Sequence, residues 1–232
     1  MAEILKVIIA GGVSSLDSTA AWQVMISQPL VNAIVTGLLL GDVTTGAILG
    51  TLFQIVWGGS LPVGASAFPD GATAGVIGTG GAILLKKELP GIDGSTVLLW
   101  SLLISLGFGI IGARTVMYMR RINESLMRRA DEFAKGGKVA SLEFLHMGGV
   151  AVSFVRGVLV TAAGLFVLLV SGRAVLPKLG TSLSPAFQPV QILIWSMGIS
   201  IFCVIFVRKK SRIVPFVLGL AFSACLAWGH LL

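Results

Sequence analysis

Three carboxylates, one amide and one guanidinium stand where an apolar chain has least use for them. Asp17, Asp42 and Asp70 lie in or beside apolar segments, Gln54 sits within Thr51-Leu52-Phe53-Gln54-Ile55-Val56-Trp57, and Arg156 falls well inside an apolar run. Ionisable groups at membrane depth are costly and mark ligand sites, relays or ion pathways. A buried amide needs partners, either another helix or a ligand hydroxyl. Trp57, nearly one turn from Gln54, offers the aromatic face on which proteins commonly hold a sugar ring, and it equally suits an interfacial belt.

Each residue also has a plain structural reading. Asp42 follows Gly41 and precedes Val43-Thr44-Thr45, the pattern of a helix cap at a turn. Asp17 follows Ser14 and Ser15 in a polar break, where a pathway role and a local one stand side by side. Asp70 closes residues 61–71, a run of prolines, glycines and small residues that prevents a regular helix and frees backbone groups. It could cap a helix beginning at Gly71, and capping is compatible with ligand contact. Arg156 needs snorkelling or a partner, most simply Asp17 or Asp70. Arg114, near the end of its apolar run, can reach the interface.

Signals of catalysis are missing. The sequence has no glycine-rich phosphate loop with Gly-Lys-Ser/Thr, no Ser-His-Asp pattern and only two histidines, His146 and His230. No metal site, no cofactor and no catalytic residue are expected. Any chemistry must be supplied by another chain.

The elements that position these groups follow from composition. Of 232 residues, 55% are apolar and 12% charged, with a mean hydropathy of +0.96. A soluble domain carries about 25% charged residues, so most of this chain has no aqueous face to solvate. The length suits one all-α bundle of roughly six to eight membrane-embedded segments at about 20 residues per span. The net charge of +7 is gathered in short blocks between apolar runs, which argues against nucleic acid and for loops facing the cytoplasm. Cys203 and Cys225 lie inside apolar runs and read as packing residues. The N-terminus lacks a basic region and a small-residue cleavage site, so the mature chain is expected to begin near Met1.

Residues 95–232 read as spans over about 95–119, 147–170, 190–207 and 213–232. Between the first two lies a basic stretch, at about 118–145, holding Arg120, Arg121, Arg128, Arg129, Lys135 and Lys138. Its apolar residues Ile122, Leu126 and Phe133 recur at helical spacing, which predicts an amphipathic helix on the membrane surface. A basic knot of Arg208, Lys209, Lys210 and Arg212 follows the third span. Simple alternation places both basic clusters in the cytoplasm and the loop with Arg173 and Lys178 outside, in accord with the positive-inside rule.

Residues 1–94 read differently. The apolar chain breaks at Gly11-Gly12, Asp17-Ser18-Thr19, Pro29, Gly41-Asp42, Gly58-Gly59-Ser60 and residues 62–71. The pieces between are too short to cross a bilayer unaided. Broken or re-entrant helices of this kind are tolerated only inside protein or along a watery cavity, and they mark transporter substrate sites. Gly37 with Gly41, Gly46 with Gly50 and Gly71 with Gly75 form small-xxx-small pairs suited to close helix packing.

The order and spacing of several motifs resemble a known family. Gln28-Pro29-Leu30-Val31, Gly37-Leu38-Leu39-Leu40-Gly41-Asp42 with Thr45-Gly46, Gly50-Thr51-Leu52, Pro62-Val63-Gly64-Ala65 and Pro69-Asp70 look like the IIC membrane subunit of the mannose-fructose-sorbose phosphotransferase family. His146 with Arg156, and Pro215-Phe216 with Leu218-Gly219, extend the likeness over nearly the whole chain. The resemblance implies a hexose-type sugar pathway in the bacterial cytoplasmic (inner) membrane, shared with a IID membrane subunit in an oligomeric assembly. Cytoplasmic IIA and IIB proteins would carry the phosphoryl group, and IIB would phosphorylate the sugar. It implies substrate contacts at Asp17, Gln54, Ser66 and Asp70, beside the intramembrane ion pair that the depth of Arg156 already calls for. Two positions depart from the family: Gln28 replaces a usual basic residue, and Gln54 replaces a frequent glutamate. The alternative is a degenerate member that senses or scaffolds a partial phosphotransferase system.

Overall fold

The computed structural model describes residues 1–57, 68–180 and 182–207. Among these the chain is entirely helical: α1 (Ala2–Thr19), α2 (Pro29–Leu40), α3 (Val43–Trp57), α4 (Gly71–Glu88), α5 (Gly94–Lys135), α6 (Val139–Leu179) and α7 (Ser184–Val207). The expected span at 213–232, the basic knot, Ser66, Cys225, His230 and the side chain of Cys203 lie outside the described residues.

Local sequence sets most helix ends. Pro29 opens α2 at a position where its missing N–H costs nothing, after an extended Gln28. Gly41 closes α2 in the left-handed conformation, φ 81°. Asp42 then caps α3, its carboxylate accepting from Thr45 N at 3.0 Å and from the Thr45 hydroxyl at 2.6 Å. Asp70 accepts from Thr73 N at the start of α4, and Asp93 accepts from Ser95 N and Thr96 N at the start of α5.

The helices differ widely in length, from 12 to 42 residues. At about 1.5 Å per residue, α2 spans about 18 Å and α3 about 22 Å, short of a hydrocarbon core of about 30 Å. By contrast α5 and α6, with 42 and 41 residues, are each long and apolar enough to cross a membrane. They run on well past such a core, to about 60 Å. The basic stretch expected to lie as a separate helix on the membrane surface is instead the end of α5 and the start of α6. It forms an antiparallel hairpin in which Leu126 and Met127 lie near Leu142 and Leu145. Helix propensity has no stop signal before Gly136-Gly137, so α5 does not end where its apolar half does.

A second correction concerns α1, which runs unbroken through Gly11-Gly12 and Asp17. The glycines serve approach to α6 instead of a break. A Cβ at Gly11 would fall 1.9 Å from Thr161 Oγ1, and one at Gly157 would fall 2.4 Å from Ser15 Cβ. Gly46 and Gly50 bring α3 against Ala33 and Leu30 of α2, and Gly71 and Gly75 bring α4 against Pro29 and Asn32.

Helix α4 is the centre. Every residue from Ala72 to Leu85 is buried, and α1, α2, α3, α5 and α6 all pack on it. Around it, Leu49, Phe53, Ile77, Leu85, Leu102 and Leu168 form the core. One end of the bundle carries an ion-paired rim: Lys87 with Glu3, Lys86 with Asp42 and Arg173 with Glu88. Apart from Asp42, which lies on this rim, the polar residues of interest gather at the other end, beneath the α5–α6 hairpin.

Candidate functional site

An open cavity of about 810 Å³ occupies that end. Its wall is drawn from the α1–α2 junction (Asp17, Gln23, Ser27, Gln28), the end of α3 (Gln54, Trp57), the start of α4 (Phe68 to Ala72) and the outer half of α5 (Val116, Arg120, Asn123, Glu124). Residues 58–67, which include Ser66, connect Trp57 to Phe68 and lie outside the description.

Asp70 and Arg156 meet inside the protein. Arg156 Nη1 donates to Asp70 Oδ2 at 2.7 Å, with the two side chains 6% and 4% exposed. Of the two acids considered for Arg156, Asp70 is therefore the partner. The guanidinium also donates to Ser15 Oγ at 2.7 Å and to Thr115 Oγ1 at 3.2 Å. The Ser15 hydroxyl donates in turn to the Ser153 carbonyl, and Ser153 Oγ lies 2.6 Å from Thr19 Oγ1. Asp70 N donates to Gly109 O, and a Cβ at Gly112 would fall 2.6 Å from Asp70 Cβ. The pair thus ties α1, α4, α5 and α6 at one point. A buried pair of this kind offsets its desolvation only while both members are present and further hydrogen-bonded.

Asp17 is 2% exposed and has another task. Oδ1 accepts from Val24 N at 2.7 Å and Oδ2 from Ser27 N at 2.8 Å. The loop so held carries Trp22, Gln23 and Met25 at φ 66°, 52° and 68°. Three non-glycine residues in the left-handed region cost on the order of 1–3 kcal/mol each. Two charge-assisted bonds from one carboxylate help hold them there. Gln23 and Met25 consequently face the cavity.

Gln54 bridges helices. Its Oε1 accepts from Leu30 N in the first turn of α2 at 3.3 Å, and its Nε2 donates to Gln28 Oε1 at 3.2 Å. The two glutamines therefore form one amide pair on the cavity wall. Trp57 stacks on Phe53 at 5.4 Å with the rings 6° apart, and its indole also lies against Gly109.

Sequence reasoning passed over several members of this arrangement. Ser15, Thr19, Ser153 and Thr115 complete the Arg156 network. Buried Asn32 donates to Ala72 O at 2.8 Å and secures α2 to α4. Ser153 stands three residues before Arg156 and Ser15 four before Thr19, so each couple shares a helix face. That spacing was the available signal, and it names no partner. Among the described residues no three His, Cys, Asp or Glu side chains converge as metal ligands would.

Residues 1–231 match the family described as the sorbose-specific IIC component of the PTS system. The chain is 31% identical over 153 residues to the fructose permease IIC component of Bacillus subtilis (strain 168), covering 66% of this chain and 52% of that protein. It is 30% identical over 148 residues to the sorbose-specific EIIC component of Klebsiella pneumoniae, covering 64% and 50%. To the mannose-specific EIIC component of Escherichia coli (strain K12) it is 26% identical over 148 residues, again covering 64% and 50%. The chain spans about half the length of the curated relatives it matches. Two solved structures share its fold at 18% identity. One is described as a membrane protein, with a TM-score of 0.72 over 100% of this chain and 92% of that one. The other is the mannose transporter ManYZ in complex with microcin E492, with a TM-score of 0.60 over 96% and 86%.

Proposed function

Because the chain belongs to the family of sorbose-specific IIC components of the PTS system, we propose that it is the sugar-translocating membrane subunit of a bacterial phosphotransferase complex. In this reading it spans the cytoplasmic membrane several times and shares the pathway with a IID subunit in an oligomer. A IIB protein charged by IIA phosphorylates the sugar on arrival.

The observation that carries the reading is the cavity itself. It presents polar side chains among apolar ones, is large enough for a monosaccharide, and is built where four helices end short of one another. Gln54, Gln28 and the backbone of 68–71 would meet hydroxyls, and Trp57 would offer an apolar ring face. Asp17 and Asp70 contribute by holding the wall in shape, with contact to sugar through their remaining lone pairs. With the α5–α6 hairpin in the cytoplasm, as its cations favour, the cavity opens toward the phosphorylating partner.

The test is uptake and phosphorylation of labelled neutral hexoses by cells expressing the chain with its IIA, IIB and IID partners. Accumulation of sugar phosphate that disappears on deletion of this chain supports the proposal. Accumulation that is indifferent to the chain overturns it.

A further inference from the structure

One face of α5 stays uncovered, away from the cavity wall. Leu103, Ile110 and Ile111 are exposed on the side that also presents Arg114, Tyr118 and Arg121, all in one stripe at three- and four-residue spacing. Helix α5 starts at the ion-paired rim, where a Cβ on Gly94 would lie 3.8 Å from Lys86 Cε. At about 1.5 Å per residue Arg114 stands about 30 Å further along, the thickness of a hydrocarbon core. Tyr118 and Arg121 follow within about 10 Å, in and just above the headgroup layer. The stripe therefore runs from apolar side chains at lipid depth to two cations and a phenol at the membrane surface. Neither arginine has an ion pair among the described residues, and residues 94–123 contain no acid.

We infer that this stripe binds an anionic phospholipid, Arg114 and Arg121 taking its phosphate and the apolar half taking an acyl chain. An arginine at the membrane boundary needs a counter-charge, and its planar fork matches phosphate through two parallel hydrogen bonds. Helical side chains lean toward the N-terminus of their helix, which on α5 is toward the membrane. Arg121 accordingly lies over the Tyr118 ring, 5.7 Å from its centre. Arg114, one turn below Tyr118, can reach the same level by extending outward along its apolar stem. The two guanidiniums flank a phenol whose hydroxyl is a further donor to phosphate oxygen. Gly107 separates Leu103 from Ile110, and a Cβ there would meet nothing within 4 Å. That notch between apolar side chains suits a hydrocarbon tail and offers nothing to a free phosphate ion. The site belongs to the membrane-crossing helix and holds whichever solute the cavity carries.

The experiment is native mass spectrometry of the chain extracted from cells in its whole membrane assembly, titrated with phosphatidylglycerol, phosphatidylcholine or inorganic phosphate. The wild type should retain phosphatidylglycerol at concentrations at least about tenfold below those needed for phosphatidylcholine, since each surface arginine strengthens binding of an anionic lipid about fivefold. Inorganic phosphate should not displace it. Arg114→Gln with Arg121→Gln should raise the phosphatidylglycerol requirement at least about tenfold and leave that for phosphatidylcholine unchanged. Arg128→Gln with Arg129→Gln removes the same charge further out on the hairpin and should change retention by less than about twofold. Retention by the Arg114/Arg121 double variant equal to that of the wild type overturns the inference. An equal loss in the Arg128/Arg129 variant overturns it too, by showing diffuse attraction without a site. Displacement by inorganic phosphate would reveal a free-anion site instead, and retention only after the assembly is dissociated would reveal a face covered by protein. Either result overturns the lipid assignment.

Discussion

The four N-terminal helices and the α5–α6 pair solve opposite problems with the same alphabet. In α5 and α6, continuous apolar faces carry long helices whose ends extend past the membrane and are solvated by charge. In α1 to α4, helices of 12 to 18 residues stop short, and their ends meet inside the protein. A helix end exposes backbone groups that lipid cannot satisfy. The short region answers with Asp42, Asp70, Asp17 and Gln54, each bonded to a backbone N–H. The comparison teaches that the polar recess is a by-product of where helices end, and that its acids are first of all the groups that make those ends tolerable. The long pair contributes the cation, Arg156, and the outer wall.

The contrast is easiest to break at its junction. Arg156→Met leaves Asp70 buried and unpaired and should cost about 3–5 kcal/mol, read as loss of folded protein in detergent thermal melts. Adding Asp70→Asn should recover part of that loss; a double variant no better than the single would show that the arginine acts through packing. Next in size, Gly157→Leu forces α6 from α1 at a contact with no room, and about 1–3 kcal/mol is expected from overpacking. The same change at Gly107 in α5, where a Cβ meets nothing within 4 Å, should be close to neutral.

Asp17→Asn removes the charge from the clamp and lets only one of the two carboxylate contacts survive as an acceptor. A cost of about 1–2 kcal/mol is expected, with faster hydrogen exchange at Val24 and Ser27. Exchange unchanged at both amides would contradict the clamp. The smallest effects belong to the exposed pairs. Glu124→Gln at the hairpin should change stability by less than about 0.5 kcal/mol.

At the opposite rim the hydrogen bond from Arg173 holds the Glu88 carboxyl below its ordinary value of 4.5, outweighing the effect of burial. A lowered carboxylate contributes stability above its unfolded value and loses it as pH falls through the folded one. Any gap between wild type and Arg173→Ala should therefore be small at neutral pH and close as pH falls below the ordinary carboxyl value of 4.5.

Much of this was legible in the sequence, and the reasons are local. Asp42 and Asp70 were readable as caps because a cap depends on residues within one turn. Pro29 and Gly41 marked the limits of α2 through their own backbone preferences. The apolar runs of α5 and α6 announced themselves by length. The misreadings were equally local: Gly11-Gly12 looked like a break because a glycine pair weakens a helix in isolation, and the apolar-to-basic change partway along α5 looked like a boundary.

Sequence by itself thus determined a helical membrane chain, a region of short helices rich in caps, and a small set of expensive polar residues. Tertiary structure alone decided which of those residues meet. That Arg156 pairs with Asp70 across 86 positions, that Gln28 faces Gln54, and that Gly11 exists for Thr161 all depend on how α1, α2 and α6 settle around α4. A burial cost is visible from a residue's type and surroundings in the chain. The partner that offsets it is set by packing, which sums contacts too distant in sequence for any local pattern to record.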